Sequence, residues 1–257
     1  GVLSNTDDLT VRPVSSTESL LQGQLAGVTV QSNGGDPTST PSIVIRGQGS
    51  QNGDNVLWVV DGVPGAPIAS MSDIESIVVL KDAASAAIYG AQSGAGGVIL
   101  VTTKTGKASK PKYSVKASTG LKWAYKLHPI MSSQDYCSMI GYESVLKNKT
   151  MSQTEEAFGL IDNYTDWQKE GLNSSPQIHQ VQLSVSGGKN DITYYISGNY
   201  AQEDGIMLNS NYTRLNLRSR INAKLSKRVD FSLNLAPSYT KTETPATNFM
   251  DFYRTPS

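Results

Sequence analysis

The second half of the chain alternates between apolar and polar side chains over long stretches. This period of two restricts the possible folds of the chain more than any other feature of its sequence. In residues 179–188, for example, Val181, Leu183 and Val185 alternate with glutamines and serines. Successive side chains of a β-strand point to opposite faces, so each such stretch is predicted to be a strand with one apolar and one polar face. Five stretches fit this pattern: residues 112–126, 179–188, 191–202, 212–226 and 229–239.

These predicted strands are longer than those of most soluble proteins. They have about 9 to 15 residues, whereas ~5–6 residues are typical of soluble strands and ~9–11 residues span a bilayer when tilted. Tight turns are predicted at "GGKN" and "SK", about 50 residues separate the first two strands, and no strand pattern follows Tyr239. Short turns on one side and long loops on the other are typical of an outer-membrane β-barrel.

A soluble antiparallel sandwich with one wet face would show the same period, and periodicity alone leaves this alternative open. The strand lengths, the arginines and lysines along the polar face, and the aromatic residues near the strand ends favour the barrel. Those aromatic residues are Tyr113, Trp123, Tyr125, Tyr200 and Tyr239. Five strands cannot close without leaving backbone groups unpaired in lipid, so the barrel interpretation expects further strands outside the present chain.

The first hundred residues have a different pattern, which predicts a small α+β unit. A helix is expected from about Ser16 to Leu25, followed by short buried strands and a second helix, "AASAAIYG", which Asp82 caps. The strand runs include "PSIVIRG", "NVLWVVDG", "IESIVVLK" and "GGVILVTT", bounded mostly by Gly, Pro, Asn or Asp. The change of pattern predicts two domains, residues 1–107 and residues 108–257.

Composition and motifs argue against several classes of function. Lys plus Arg equals Asp plus Glu at 22 each, so nothing indicates nucleic-acid binding. The single cysteine, Cys137, forms no intrachain disulfide, and His128 and His179 lack the clustered ligands of a transition-metal site. "GQGSQNG" and "TGK" lack the spacing of a phosphate-binding loop, and no GxSxG elbow is present. We therefore expect neither an enzyme nor a bound cofactor.

Charged residues at the ends of the predicted strands in the first unit are candidate contacts with a surrounding wall. Such charges commonly face water, and that alternative stays open. The other hypothesis is that they pair with charges on the polar face of the barrel. A buried pair costs about 3–5 kcal/mol to break singly, which suits a part that stays seated until it is pulled. The candidates are Arg46, Asp61, Glu75, Lys81 and Asp82.

Three motifs in residues 20–107 closely resemble the plug domain of SusC-type TonB-dependent outer-membrane transporters of Bacteroidetes. They are "LLQGQLAGVTVQSNGGDPTSTPSIVIRG", "LWVVDGVPG" and "DIESIVVLKDAASAAIYGAQSGAGGVILVTTKTGK". "TDWQ" and "VSGGKNDITYYISGNYAQEDGI" further along are similar to the start of the same family's barrel. The resemblance implies an α+β plug inside a transmembrane β-barrel of 22 strands, of which about five are present here.

The resemblance also implies a function and a set of partners. It implies import of a nutrient, a glycan or a peptide, across the outer membrane of a Gram-negative bacterium. The expected partners are a SusD-like surface lipoprotein, the TonB–ExbB–ExbD energising complex and outer-membrane lipid, with plug loops 36–55 and 62–73 able to touch substrate. A TonB box is expected outside the present chain. The alternatives are a non-transporting surface or secreted β-rich binding protein and, ranked third, a hydrolase.

Overall fold

The structure, a computed structural model, consists of a small N-terminal unit seated against a sheet of long antiparallel strands. It describes residues 2–3, 16–31, 36–39, 41–45, 56–68, 70–81, 88–89, 97–127, 129, 131–146 and 166–245. We call residues up to 107 the N-terminal unit and the strands that begin at Lys112 the wall. None of the helices in the described ranges has the length and apolar content needed to cross a membrane.

The N-terminal unit is built on a mixed five-stranded sheet in the order β1-β6-β7-β4-β5, with β4 and β7 parallel. A separate hairpin joins β2 to β3. The elements of the N-terminal unit are β1 (Val2–Leu3), α1 (Thr17–Leu20), β2 (Val28–Gln31), β3 (Ser42–Ile45), β4 (Leu57–Val60), β5 (Val63–Pro64), β6 (Ile74–Leu80) and β7 (Val98–Thr103). Leu21, Ile74, Ile77 and Ile99 are fully buried in its core, as the apolar runs predict.

The first helix is shorter than predicted. Ser16 caps it as expected, because its hydroxyl accepts a hydrogen bond from the Ser19 N–H, but α1 ends at Leu20 and turns follow it. Gly23 and Gly27 have φ angles of +74° and +70°, which a helix does not allow. Most of the second predicted helix, residues 83–90, lies outside the described residues.

The wall is an antiparallel sheet in which β8 to β12 are neighbours in chain order. The register between β10 and β11 runs without a break from Ile192↔Ala223 to Asp204↔Asn211. The elements are β8 (Lys112–Leu121), α2 (Ser133–Leu146), α3 (Trp167–Glu170), β9 (Gln177–Lys189), β10 (Ile192–Asp204), β11 (Asn211–Ser226), β12 (Val229–Leu235) and β13 (Ser238–Glu243). Both helices belong to the long link between β8 and β9.

The wall exposes its apolar face and covers its polar face, which is the reverse of a sheet in a water-soluble protein. The apolar side chains point away from the N-terminal unit, and Leu183 and Leu217 are 54% and 52% exposed. The polar side chains face the unit, where Ser197 and Arg218 are only 2% and 5% exposed. An apolar outer face and a polar inner face are the arrangement of a membrane barrel, and the described strands do not enclose a dry sandwich core.

Two strand predictions need correction. The first wall strand ends at Leu121 rather than continuing to Lys126. The last one is divided at Ala236–Pro237 into β12 and β13, which pair with successive parts of β11, and it continues past Tyr239 to Glu243. Pro237 has no N–H to donate, but its carbonyl accepts from the Leu217 N–H at 3.0 Å, so the strand is interrupted without leaving the sheet.

Candidate functional site: the interface between the N-terminal unit and the wall

A buried carboxylate joins the N-terminal unit to the wall. Asp61 follows β4 in a left-handed conformation, φ 49°, and its N–H donates to the Val101 carbonyl at 2.9 Å. Arg218 Nη2 lies 2.5 Å from Asp61 Oδ2, and Arg220 Nη1 lies 3.1 Å from Oδ1. The side chains of Asp61 and Arg218 are 7% and 5% exposed. One carboxylate therefore forms ion pairs with two arginines of β11 in a site largely closed to water.

Thr103, at the end of β7, completes the Asp61 site. Its N–H and its hydroxyl donate to the two carboxylate oxygens at 2.9 and 2.6 Å, while its hydroxyl oxygen accepts from Arg218 Nη2 at 2.8 Å. Burial raises the pKa of the Asp61 carboxyl, but the Thr103 hydrogen bonds and the charges of Arg220 and Arg218 outweigh it, so the pKa lies below its ordinary value of 3.8. Because the folded-state pKa is the lower one, the stabilisation is complete above the ordinary value and is lost as the pH falls through the lowered one.

A second buried carboxylate, Asp73, meets the wall through neutral donors. It is the last residue of a short 3-10 helix, Met71–Asp73, that precedes β6, and it is 2% exposed. The Tyr195 hydroxyl donates to its Oδ1 at 2.9 Å, and Asn199 Nδ2 donates to its Oδ2 at 2.8 Å. The Ser72 hydroxyl donates to Asn199 Oδ1 at 2.7 Å. These bonds satisfy a buried group that would otherwise be costly to remove from water.

Arg214, nearer the start of β11, joins the wall to the loop after β5. Its Nη2 donates to the Ile68 carbonyl at 2.9 Å and its Nε donates to Asn216 Oδ1 at 3.1 Å. Its charge also acts on Glu18 of α1: burial raises the pKa of that carboxyl, and a backbone hydrogen bond and the Arg214 charge lower it by less. Arg214 therefore contacts the loop after β5 and influences the first helix.

The five candidate charges fall in different places. Asp61 lies between Arg218 and Arg220 as described. Glu75 is exposed, and the Lys81 ammonium donates to the Ala26 carbonyl within the same unit. Arg46 and Asp82 lie outside the described residues, so the proposed wall contacts of these four stay predictions.

Sequence reasoning missed the Asp73 contacts. Their partners, Tyr195 and Asn199, are neutral and lie 122 and 126 positions away, so no charge pattern connects them. The arginines were easier to find, because Arg214, Arg218 and Arg220 alternate with leucines and Ser219 on a predicted strand.

The linker between the two parts is also held against the wall. The Gly188 N–H of β9 donates to the Ser109 carbonyl at 3.0 Å, and within the N-terminal unit the Lys104 N–H donates to the Asp73 carbonyl at 2.8 Å. A Cβ added to Gly106 would lie well inside van der Waals contact with the backbone N, C and O atoms of Tyr194. Only a residue without a side chain fits where the linker crosses β10.

We expect Gly106→Val to lift the linker from the wall, because the new side chain overlaps backbone atoms that cannot move without breaking the β10 ladder. The measurement is the rate at which trypsin cleaves the full-length protein after Lys104 or Lys107, which should rise at least tenfold. Gly141→Ala on α2 is the control, since a Cβ there meets nothing within 4 Å. Equal cleavage rates in wild type and Gly106→Val would contradict the close packing.

The described contacts of the interface hold two parts of the chain together. Within the described ranges, no three His, Cys, Asp or Glu side chains are grouped so as to bind a metal ion. The titratable groups of the site, Asp61 and Asp73, are engaged by donors from the wall. The arrangement is suited to seating one body against another.

Comparison with known proteins accounts for this arrangement. Residues 3–98 match the family described as TonB-dependent Receptor Plug Domain, and the whole chain is similar to a structure of the RagAB peptide importer in its closed-closed state, with a TM-score of 0.78, 25% identity, and coverage of 96% of this chain and 31% of that one. Residues 3–98 therefore form a plug domain of the TonB-dependent receptor family, and the antiparallel strands that follow match those of a receptor structure.

Curated relatives of the chain are also TonB-dependent receptors. TonB-dependent receptor P3 of Formosa agariphila is 38% identical over 230 residues, which are 89% of this chain and 22% of the relative. TonB-dependent receptor SusC of Bacteroides thetaiotaomicron is 30% identical over 246 residues, 91% of this chain and 22% of SusC. The chain is SusC-like, and it spans less than a quarter of the length of these two relatives.

Proposed function

We propose that this chain forms the plug and the first wall strands of an outer-membrane importer that takes up a glycan or a peptide with energy from TonB. The observation that carries the proposal is the buried Asp61–Arg218–Arg220 contact between the N-terminal unit and the inner face of a wall whose outer face is apolar. An apolar outer face requires lipid around it. A unit on the polar inner face then occupies the lumen.

The contacts between plug and wall suit a part that stays seated at rest and leaves when pulled. They are hydrogen bonds and ion pairs, which water can replace one by one as the surfaces separate. A cavity of about 140 Å³ lies between them, lined in part by Val60, Ser70, Asn216 and Pro237, and it has room for water. Separation therefore exposes little large apolar surface, and the main cost is the loss of a few buried polar contacts.

The direction of transport and the partners follow from the same proposal. Substrate captured outside, between the barrel and a SusD-like lipoprotein, meets the plug loops, and Arg214 connects one of these, at Ile68, to the wall. A pull from the TonB–ExbB–ExbD complex on the chain before the plug then releases or remodels it. The similarity to the RagAB peptide importer and to SusC supports a peptide or a glycan as substrate, and relatives from Formosa and Bacteroides support a Bacteroidetes outer membrane.

An uptake experiment tests the proposal. The source bacterium is given a radiolabelled mixture of peptides or of oligosaccharides. Deletion of the gene for the full-length protein should reduce accumulation of label from at least one of the two mixtures to background. Deletion of tonB should have the same effect, and complementation should restore uptake. Substrate that still accumulates at the wild-type rate without TonB would contradict active import, and binding to the cell surface with no accumulation in either strain would favour a non-transporting receptor.

A further inference from the structure

The ends of the wall strands differ in charge, and one end is strongly basic. At the end with the short turns, five exposed cations lie in the linker before β8, at the end of β9 and in the β11–β12 turn, next to the register pair Lys224 and Asp230 of β11 and β12. We call this set the basic rim: Lys107, Lys110, Lys189, Lys227 and Arg228, all exposed. Among residues 105–111, 189–191 and 226–228, Asp191 is the one carboxylate.

Among the described residues, the charges at the opposite end of the wall are close to balanced. Lys122 pairs with Glu203, Lys169 with Asp166, and Lys241 with Glu243. The described residues at the two ends of the wall therefore differ in charge.

Large apolar side chains directly adjoin the basic rim on the outer face. Lys189 is the register partner of Ile192, which is exposed, as are Leu225 and Val229 on either side of the Lys227–Arg228 turn. Lysine and arginine beside an apolar band extend their charged groups to the phosphates of a bilayer while their stems stay with the acyl chains. A lipid can contact both parts of this continuous surface, the apolar side chains with its acyl chains and the cations with its headgroup. An acidic protein would pair with the cations and leave the apolar side chains exposed.

We propose that the basic rim binds the headgroups of anionic phospholipids in the leaflet next to the short turns. The proposal rests on the outer-membrane barrel of the proposed function and adds the lipid chemistry that one rim prefers. The phosphate diester and the net negative charge of phosphatidylglycerol are the recognised groups. Attraction between such a rim and an anionic surface falls off within a Debye length and is weakened by salt.

The test uses the purified full-length protein in detergent, with its thermal unfolding followed during titration with palmitoyl-oleoyl phosphatidylglycerol (POPG) or its phosphatidylcholine analogue (POPC). The wild type should gain stability from POPG and little from POPC, and 0.5 M NaCl should remove the difference. The triple variant Lys189→Gln, Lys227→Gln, Arg228→Gln should need at least tenfold more POPG for half the effect, since each cation accounts for about a fivefold change at low salt.

The matched control removes three cations from the other end: Lys126→Gln, Lys169→Gln and Lys241→Gln. It should keep the wild-type midpoint, which is the POPG concentration that gives half of the stabilisation.

If the first triple variant does not fold, Lys189→Gln alone should still raise the midpoint about fivefold. The inference is overturned by an unchanged midpoint in the rim variants, by an equal change in the control, or by lipid A acting at lower concentration than POPG. A protein that shows this lipid dependence and imports nothing contradicts the proposed function and leaves the inference standing.

Discussion

Replacing Asp61 by Asn in the full-length protein should unseat the plug. The substitution leaves the side-chain volume unchanged but deprives Arg218 and Arg220 of their shared counter-charge in a site where Arg218 is 5% exposed. A buried charge that loses its partner costs about 3–5 kcal/mol, which lowers the ratio of seated to unseated plug at least a hundredfold. Cells that express this variant should become permeable to vancomycin, and the melting temperature of the purified protein should fall.

Two further variants separate the ion pair from general damage. Glu170→Gln removes the same charge from an exposed residue of α3 and should change stability by less than about 0.5 kcal/mol. Arg218→Met combined with Asp61→Asn should be less harmful than Asp61→Asn alone, because a buried arginine is removed together with its partner. If cells with Asp61→Asn resist vancomycin as well as the wild type, and the purified variant has the same melting temperature, the ion pair does not hold the plug.

Replacing Asp73 by Ala should have the second largest effect on the interface. The Tyr195 hydroxyl and Asn199 Nδ2 would lose their acceptor while buried, and each unsatisfied group costs about 1–3 kcal/mol. The Lys104 N–H, which donates to the Asp73 carbonyl, should exchange faster because the turn around residue 73 is no longer held. Hydrogen–deuterium exchange of peptides that cover residues 70–74 and 104–111 measures this loss of protection.

Tyr195→Phe is the comparison for Asp73→Ala. It removes one hydrogen bond from Asp73 and leaves the Asn199 bond in place, so it should cost about 1 kcal/mol and change exchange by a smaller factor. If Tyr195→Phe and Asp73→Ala increase exchange equally, the Asn199 contact contributes nothing and the two-donor description of this site is wrong.

The alternating pattern was sufficient to predict the wall, because a strand with one apolar face has few other arrangements. The alternation predicts Leu183 and Leu217 on one face and Gln182 and Arg218 on the other, and the structure has the same division. The sequence prediction missed the interruption at Pro237, although a proline inside a strand pattern is itself a local signal of such a break; the β11 groups that keep β13 in the sheet are distant in sequence.

The interface was predicted only where it carries charge on both sides. Asp61 was a candidate because a carboxylate directly after a buried strand needs a partner or water, and arginines on a polar strand face offered one. Asp73 had no such signal, since its partners are a tyrosine and an asparagine on β10. The shortness of α1 follows from Gly23 and Gly27, whose left-handed conformations are properties of the folded unit rather than of the residue order alone.

A cryo-electron microscopy map of the full-length protein in lipid nanodiscs would show whether the N-terminal unit lies inside a barrel. We expect a closed ring of strands with the N-terminal unit inside it, continuous density between Asp61 and Arg218, and lipid against Leu183 and Leu217. A map in which the strands pack their apolar faces around a dry interior, with the N-terminal unit docked outside, would contradict it.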